Sequence, residues 1–354
     1  MVKIFDGHND VLLRLYTRGG ADAVSSFLKG EIINGKPAGQ IDFPRAKAAG
    51  FAGGFFAIYV PSPEHGNFDA LMQAAQYDVP LPPQSALAYA QKVTLAQASL
   101  LIRMETEANG AIKICRTSTD LKHCMTTDTL AAIMHIEGAE AIDCNLDALY
   151  VLHQAGLRSL GPVWSRPNIF GAGVPFRFPS SPDIGNGLTE AGFELVKTCN
   201  KLKIMLDLSH LNEKGFWDVV KTSDAPLVAT HSNAHTLCRH SRNLTDKQLA
   251  AIRDTGGMVG LNYAVAFLRQ DGRKDTNTPL ITMLNHLDYL IEHLGEDHVG
   301  LGSDFDGATI PNELGTVSGL PKLVEAMRQH GYNAPLIDKL CNLNWINLLE
   351  RTWR

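Results

Sequence analysis

The chain is poor in cysteine, and its six cysteines (Cys115, Cys124, Cys144, Cys199, Cys238 and Cys341) are scattered without a single Cys-x-x-Cys. In a chain of this size that argues against a disulfide framework or a thiolate zinc site and leaves reduced, mostly buried thiols. Long hydrophobic runs are missing too. The longest, 52–60 and 258–268, fall well short of the ~20 residues needed to span a bilayer, so no membrane partner is expected. Charge of one sign is not in excess: 32 Lys plus Arg stand against 37 Asp plus Glu, a formal net charge of −5. That balance gives no electrostatic footprint for nucleic acid. The first strand-to-helix turn also lacks Gly-x-Gly-x-x-Gly, which removes the main argument for an open dinucleotide-binding sheet. Met1 leads almost at once into a predicted core strand, with no basic region and apolar segment ahead of it, so a cytoplasmic location is the expectation.

What is present is a repeating pattern. Short apolar runs end at 10, 60, 137, 164, 210, 231, 263 and 304, and helical stretches fall between them, among them 85–109, 146–155, 189–201, 246–253 and 336–351. Eight buried strands alternating with helices predict parallel βαβ units closed into a (β/α)₈ TIM barrel, a single α/β domain over residues 1–354. Two Pro/Gly-rich stretches, 61–84 and 166–187, read as long loops of the kind that cover binding sites. The segment before Gly39 carries no clear signal.

Polar residues close these runs. His8 and Asp10 end the first, Glu137 the third, His210 the fifth, His231 the sixth and Asp304 the eighth. In a barrel all those C-terminal ends open on one face, where active sites of this fold lie. Three histidines and three carboxylates gathered there stay unsatisfied or repel unless cations hold them together. Imidazole plus carboxylate without thiolate suits zinc or a similar divalent first-row metal. Six such groups exceed the needs of one ion, so two ions sharing a carboxylate are expected. Each residue taken singly also fits ordinary hydrogen-bonded structure. His135 reads as a satisfied core histidine, Asp306 as a turn former before Gly307, and His235 and His240 as surface or supporting groups. Arg242 reads either as part of a solvated basic face with Arg239 and His240 or as a substrate-binding cation.

The blocks Asp6-Gly7-His8-Asn9-Asp10, Ile136-Glu137-Gly138, Asp207-Leu208-Ser209-His210, Thr230-His231-Ser232-Asn233, Arg242-Asn243 and Gly302-Ser303-Asp304-Phe305-Asp306-Gly307 resemble those of the membrane (renal) dipeptidase family of the amidohydrolase superfamily. They run in order over essentially the whole chain. The resemblance implies a zinc-dependent dipeptidase with two Zn²⁺, His8 and Asp10 holding one ion, His210 and His231 the other, and Glu137 bridging. It also implies Asp304 as the proton shuttle and Arg242 as the grip on the substrate's C-terminal carboxylate, a task suited to a bidentate guanidinium. Dipeptides with a D-residue at the C-terminus would be among the substrates, and a homodimer is common in the family. One departure stands out: the family pattern has a histidine at the end of the fourth strand, and here Trp164 takes that place. Trp164 is read as an apolar wall of the pocket, with Arg166 or Asn168 replacing the missing donor. Two other functions remain open: a related amidohydrolase acting on a lactam, lactone or N-acyl amino acid, and a metal-binding module without catalysis.

Overall fold

In the computed structural model, residues 1–30, 32–33, 35–62 and 68–353 are described. Eight parallel strands form the barrel: β1 (Ile4–Asn9), β2 (Phe51–Tyr59), β3 (Leu130–Glu137), β4 (Leu157–Gly161), β5 (Met205–Leu206), β6 (Val228–Ala229), β7 (Met258–Asn262) and β8 (Val299–Gly302). Their spatial order is β5-β4-β3-β2-β1-β8-β7-β6, and a single parallel bridge, Asp207 to Val228, brings the two ends together. Each predicted strand is present. β5 and β6 are shorter than their apolar runs because side chains take over from the ladder beyond Leu206 and Ala229. The Asp207 carboxylate accepts from the backbone of Ser209 (3.1 Å) and Thr230 (2.9 Å), and the Ser209 hydroxyl accepts from the His231 N–H (3.1 Å).

The barrel interior is filled from its floor upward. Phe5, Phe55, Ile133, Met205, Val228 and Met258, one from each of six strands, pack with Trp345 from the last helix. The Trp345 indole donates to the Leu301 carbonyl at 3.0 Å and lies 5.2 Å from the Phe55 ring. Glycine is required around it: a Cβ at Gly7, Gly260 or Gly302 would overlap the Thr230 carbonyl, which enters the barrel between these strands. A second, larger apolar layer joins the outer faces of the strands to the helices, as expected when every strand is buried on both sides.

Helices fall where predicted at Leu87–Glu107, Asp147–Ala155, Glu190–Leu202 and Asp246–Asp254. The cap hydroxyls of Thr189 and Thr245 accept from Gly192 (3.1 Å) and Gln248 (3.4 Å). The C-terminal helix predicted at 336–351 is present but changes its winding once. A wider turn, Lys339–Leu343, separates Ala334–Asp338 from Asn344–Thr352, and this lets Asn342 and Asn344 reach the carbonyls of Lys3 and Val299 while Trp345 enters the floor. Helices at Ala21–Lys29, Ser118–Thr126 and Leu280–Leu294 are additional to the sequence reading. The two long loops meet: Tyr77–Asp78 pairs antiparallel with Arg177–Phe178. Among the described residues no helix is long and apolar enough to cross a membrane.

Candidate metal centre

β1 carries one residue more than β2 between two pairings, Asp6 with Gly54 and Asn9 with Phe56. Such a bulge re-aims the side chains beyond it. His8 and Asp10 consequently face the axis together, with His8 Nε2 3.4 Å from Asp10 Oδ2 and 3.5 Å from Glu137 Oε1. Glu137, the last residue of β3, presents that same oxygen to His210 Nε2 at 2.9 Å and His231 Nε2 at 3.3 Å. One carboxylate oxygen thus faces three imidazoles contributed by three other strand ends. His210 and His231 turn their Nε2 atoms toward each other at 3.2 Å. Their Nδ1 atoms are held from outside, His210 by the Ser165 hydroxyl (2.9 Å) and His231 by the Thr230 hydroxyl (2.8 Å), which in turn donates to Asp207 (2.6 Å). Hydroxyls and carboxylates behind imidazoles fix the tautomer that leaves Nε2 as the ligand atom.

Electrostatics tests whether a cation fits. Burial holds His210 and His231 well below the usual histidine range, helped by the Arg242 charge and by His8, so both stay neutral donors. Burial also opposes charge on His8, yet attraction to Glu137, Asp10 and Asp304 wins and raises it to about 10. Burial pushes Glu137 well up, and Asp10 and Asp304 add to that. The carboxylates of Asp10, Glu137 and Asp304 therefore crowd one another, each disfavouring charge on the next. Neither ring nitrogen of buried His8 has a hydrogen-bond partner among the described residues. The trios His8–Glu137–His231 and His8–Asp10–Asp304 each bring ligand atoms within 4.8 Å of one another. Orphaned buried nitrogens and crowded carboxylates are what a divalent cation resolves.

The model of the membrane dipeptidase family (peptidase family M19) matches residues 1–353. The chain belongs to the membrane dipeptidase family. It is similar to the crystal structure of dipeptidase AC, a metallopeptidase, at 58% identity over 99% of both chains with a TM-score of 0.95. A metallopeptidase from Rhodobacter sphaeroides, solved with a phosphinate mimic of the dipeptide L-Ala-D-Ala, matches at 57% identity over 99% of both chains with a TM-score of 0.96. The dipeptidase ataJ of Aspergillus terreus is 28% identical over 371 residues, covering 99% of this chain and 84% of that protein. As a member of the family the chain is a metal-dependent hydrolase of the dipeptidase type, built on a barrel of eight parallel strands.

Other site residues of this dipeptidase fall as follows. Asp304 stands just past β8 in a left-handed conformation (φ 59°), its N–H on the His8 carbonyl (3.0 Å) and its Oδ2 accepting from Asn262 at the end of β7 (3.0 Å). Burial, with Asp10 nearby, pushes its carboxyl up. A side chain on Gly307 would overlap the carboxylates of both Asp10 and Asp304. Trp164 lines the cavity of about 260 Å³ above these groups, its ring 4.9 Å from Tyr59 and 5.8 Å from His210. Arg242 is buried, which removes the solvated-face reading. Its head donates to the Ser209 and His231 carbonyls, and its Nε has no hydrogen-bond partner among the described residues.

Two expectations need correction. Asn168 does not reach the cavity: its amide donates to Pro162 O (2.8 Å) and accepts from Phe170 N (2.9 Å), closing its own loop. Arg166 is fully buried, bound to Glu140 (3.1 Å), Ser62 (2.7 Å) and the Val60 carbonyl (2.9 Å), so its donors are spent behind Trp164. His135 is a core group on Ser159 (2.9 Å), held down to about 3 by burial. Asp306 clamps Arg14 (2.9 Å) and the Gln40 N–H (2.6 Å) instead of merely turning the chain. His235 binds the Ser180 carbonyl (2.8 Å), whereas His240 is fully buried with Nδ1 accepting from the Arg242 N–H (3.0 Å). Tyr59 and Asn262 were not singled out from the sequence, and Asp207 stood in a quoted block without a role of its own. Tyr59 and Asn262 close their strands just as Glu137 closes β3, so position alone was the available signal.

Proposed function

We propose that this chain is a zinc-dependent dipeptidase using two Zn²⁺, and that its substrates include dipeptides ending in a D-residue. The observation that carries the reading is the Glu137 oxygen lying within 3.5 Å of three imidazole nitrogens, with Asp10 completing the His8 side. His8 and Asp10 would hold one ion, His210 and His231 the other, and Glu137 would bridge. When bound, the pair of ions supplies a nucleophilic hydroxide near neutral pH and polarises the scissile carbonyl. Asp304 takes the proton of the attacking water and returns it to the leaving amine, first as base and then as acid. Its raised affinity for protons, from burial and the neighbouring Asp10, suits both halves of that task. The Asn262 amide keeps its carboxylate aimed at the cavity. Trp164 excludes water on the His210 side, and Arg242 supplies the positive charge for the substrate's terminal carboxylate through its unpartnered Nε. The D-residue tolerance draws on the Rhodobacter sphaeroides relative and its L-Ala-D-Ala mimic.

Chelator-treated protein is expected to lose hydrolysis of an L-L and L-D dipeptide library and to recover it with about two equivalents of zinc per chain. Glu137→Gln is expected to lower kcat by a factor of at least about 10³, the scale seen when a central electrostatic group is removed. Retention of activity by the zinc-free protein, or by Glu137→Gln, overturns the reading.

A further inference from the structure

Attack on a peptide bond builds negative charge on the scissile carbonyl oxygen, and a fixed donor aimed at that oxygen speeds the step. Arg166 and Asn168, the donors expected beside the fourth strand, are both taken up elsewhere. Apart from the candidate ligands and Asp304, the polar side chains lining the cavity are Tyr59, Trp164, Lys274 and Thr309. Lys274 and Thr309 also line a second recess of about 420 Å³. Tyr59, in contrast, stands beside the centre, its Cα paired with that of Glu137 in the ladder between β2 and β3. Side chains alternate along a strand, and β2 sends Phe56 and Ile58 to the outer layer and Phe55 to the barrel floor, so Tyr59 points inward as Phe55 does. β3 has the same phase, with Ile133 in the floor and Glu137 at the centre. Gln97 fixes the Tyr59 backbone from outside, accepting from its N–H (3.1 Å) and donating to its carbonyl (2.6 Å). The ring is 4.9 Å from that of Trp164, and Arg166 Cζ lies 6.0 Å from its centre. Tyr59 is only 7% exposed, yet its hydroxyl has no hydrogen-bond partner among the described residues. Burial pushes the phenol above the usual tyrosine range; Arg166 opposes this, and Glu137, Glu140 and Asp10 reinforce it, so the hydroxyl keeps its proton. A withdrawn donor without a partner costs the folded state stability unless a ligand takes it.

We infer that the Tyr59 hydroxyl is a catalytic group that donates a hydrogen bond to the oxygen of the scissile carbonyl and to the oxyanion formed from it. The inference rests on the dipeptidase reading, in which the scissile carbonyl lies over Glu137, the residue shared by both halves of the centre. The phenol transfers no proton: its hydrogen bond strengthens as charge builds on the oxygen and relaxes when the carbonyl is restored. Arg166 acts without touching the substrate, because a cation near the ring favours charge on the hydroxyl oxygen and makes it a better donor.

The test compares the zinc-loaded parent with Tyr59→Phe, which keeps the ring and its packing, and with Trp164→Phe, which removes the indole N–H. Tyr59→Phe is expected to lower kcat for L-Ala-D-Ala about 10²-fold, the scale of one lost oxyanion donor. Its KM should stay within about three-fold of the parent, because the interaction is made chiefly in the transition state. Calorimetry reads the same change without turnover: affinity for a phosphinate mimic of the dipeptide, whose oxygen stands for the oxyanion, should fall by a similar factor while zinc content matches the parent. Trp164→Phe is expected to lower kcat by less than about 10-fold. Equal kcat and equal phosphinate affinity in the parent and Tyr59→Phe overturn the inference and leave the dipeptidase reading intact. A rise in KM at constant kcat also overturns it, since the hydroxyl then holds substrate and oxyanion alike. A larger loss of kcat in Trp164→Phe than in Tyr59→Phe overturns it by assigning the donor to the indole. If the parent hydrolyses no dipeptide, the functional reading fails and this inference falls with it.

Discussion

The same eight strands carry two opposite environments, one at each end of the barrel. At the floor, Phe5, Phe55, Ile133 and Trp345 bury apolar surface with the one indole N–H satisfied. At the rim, His8, Asp10, Glu137, His210 and His231 are also withdrawn from water and Asp304 is half-buried, but they are polar, crowded and in part unpartnered. The floor stabilises the fold, at roughly 25 cal/mol for each Å² of apolar surface removed from water. The rim costs stability unless a cation compensates it. Of the five non-glycine residues with positive φ among the described residues, two, Asp304 and Asp306, stand just past β8, so the rim carries part of the backbone strain as well. Foldability and chemistry are thus divided along the strand axis, which predicts that each end can be altered with little effect on the other.

The largest test of that division is Trp345→Ala. Removing a fully buried indole from the floor is expected to cost about 3–5 kcal/mol, read as a fall in the urea midpoint, while kcat of the molecules still folded stays within about two-fold of the parent. Glu137→Gln should do the reverse, abolishing turnover with little change in the midpoint. If Trp345→Ala instead abolishes metal binding in folded protein, floor and rim are not separable.

That division also decides what the sequence could reveal. Strands were legible because an apolar run closed by a polar residue has the same form wherever it occurs, and the rim residues were legible because they are those closing residues. Asn262 closes β7 as Glu137 closes β3, but the apolar run reads on to Tyr263, so its place at the strand end was hidden. Availability was not legible at all. Arg166 looks like a free loop cation, yet Glu140, 26 residues away, and the Val60 carbonyl take up its donors. His240 sits in a run of polar residues and is nevertheless buried against Phe267, 4.5 Å between ring centroids. Burial of this kind depends on distant segments meeting, and no local window contains it. The helix Ala21–Lys29 was missed for a different reason: glycines at both ends and serines within it weaken the periodic signal.

His286 supports the rim loops from outside the barrel and gives a smaller effect. It lies on the outer helix Leu280–Leu294, accepts from the Ala234 N–H on Nδ1 (3.2 Å) and donates from Nε2 to Leu268 O (2.9 Å), tying together the loops that follow β6 and β7. Burial holds its pKa down to about 4. The unfolded chain takes up this proton near pH 6.5, whereas the folded protein does so only near pH 4. Its contribution is therefore complete above pH 6.5 and is lost as the pH falls through that window, by up to about 3 kcal/mol. His286→Gln should be less stable than the parent at pH 7, and the gap between their urea midpoints should narrow toward pH 4. A gap that does not change with pH would mean that His286 contributes packing alone.

The smallest effect sharpens the contrast within the rim itself. His210 has an outer hydroxyl, Ser165, at 2.9 Å, whereas His8 has no hydrogen-bond partner on either ring nitrogen among the described residues. An outer partner orients a ligand before the ion arrives, and losing one typically weakens metal affinity about 10-fold, or about 1.4 kcal/mol. Ser165→Ala should accordingly weaken zinc binding by about that factor in competition with a chelator, with folding unchanged, because the hydroxyl leaves no cavity larger than its own oxygen. Ser165→Thr, which keeps the hydroxyl, should restore the affinity. Equal affinities for the parent and Ser165→Ala would mean that His210 is held by its backbone and by contact with Trp164, and that hydroxyl support does not distinguish the two halves of the centre.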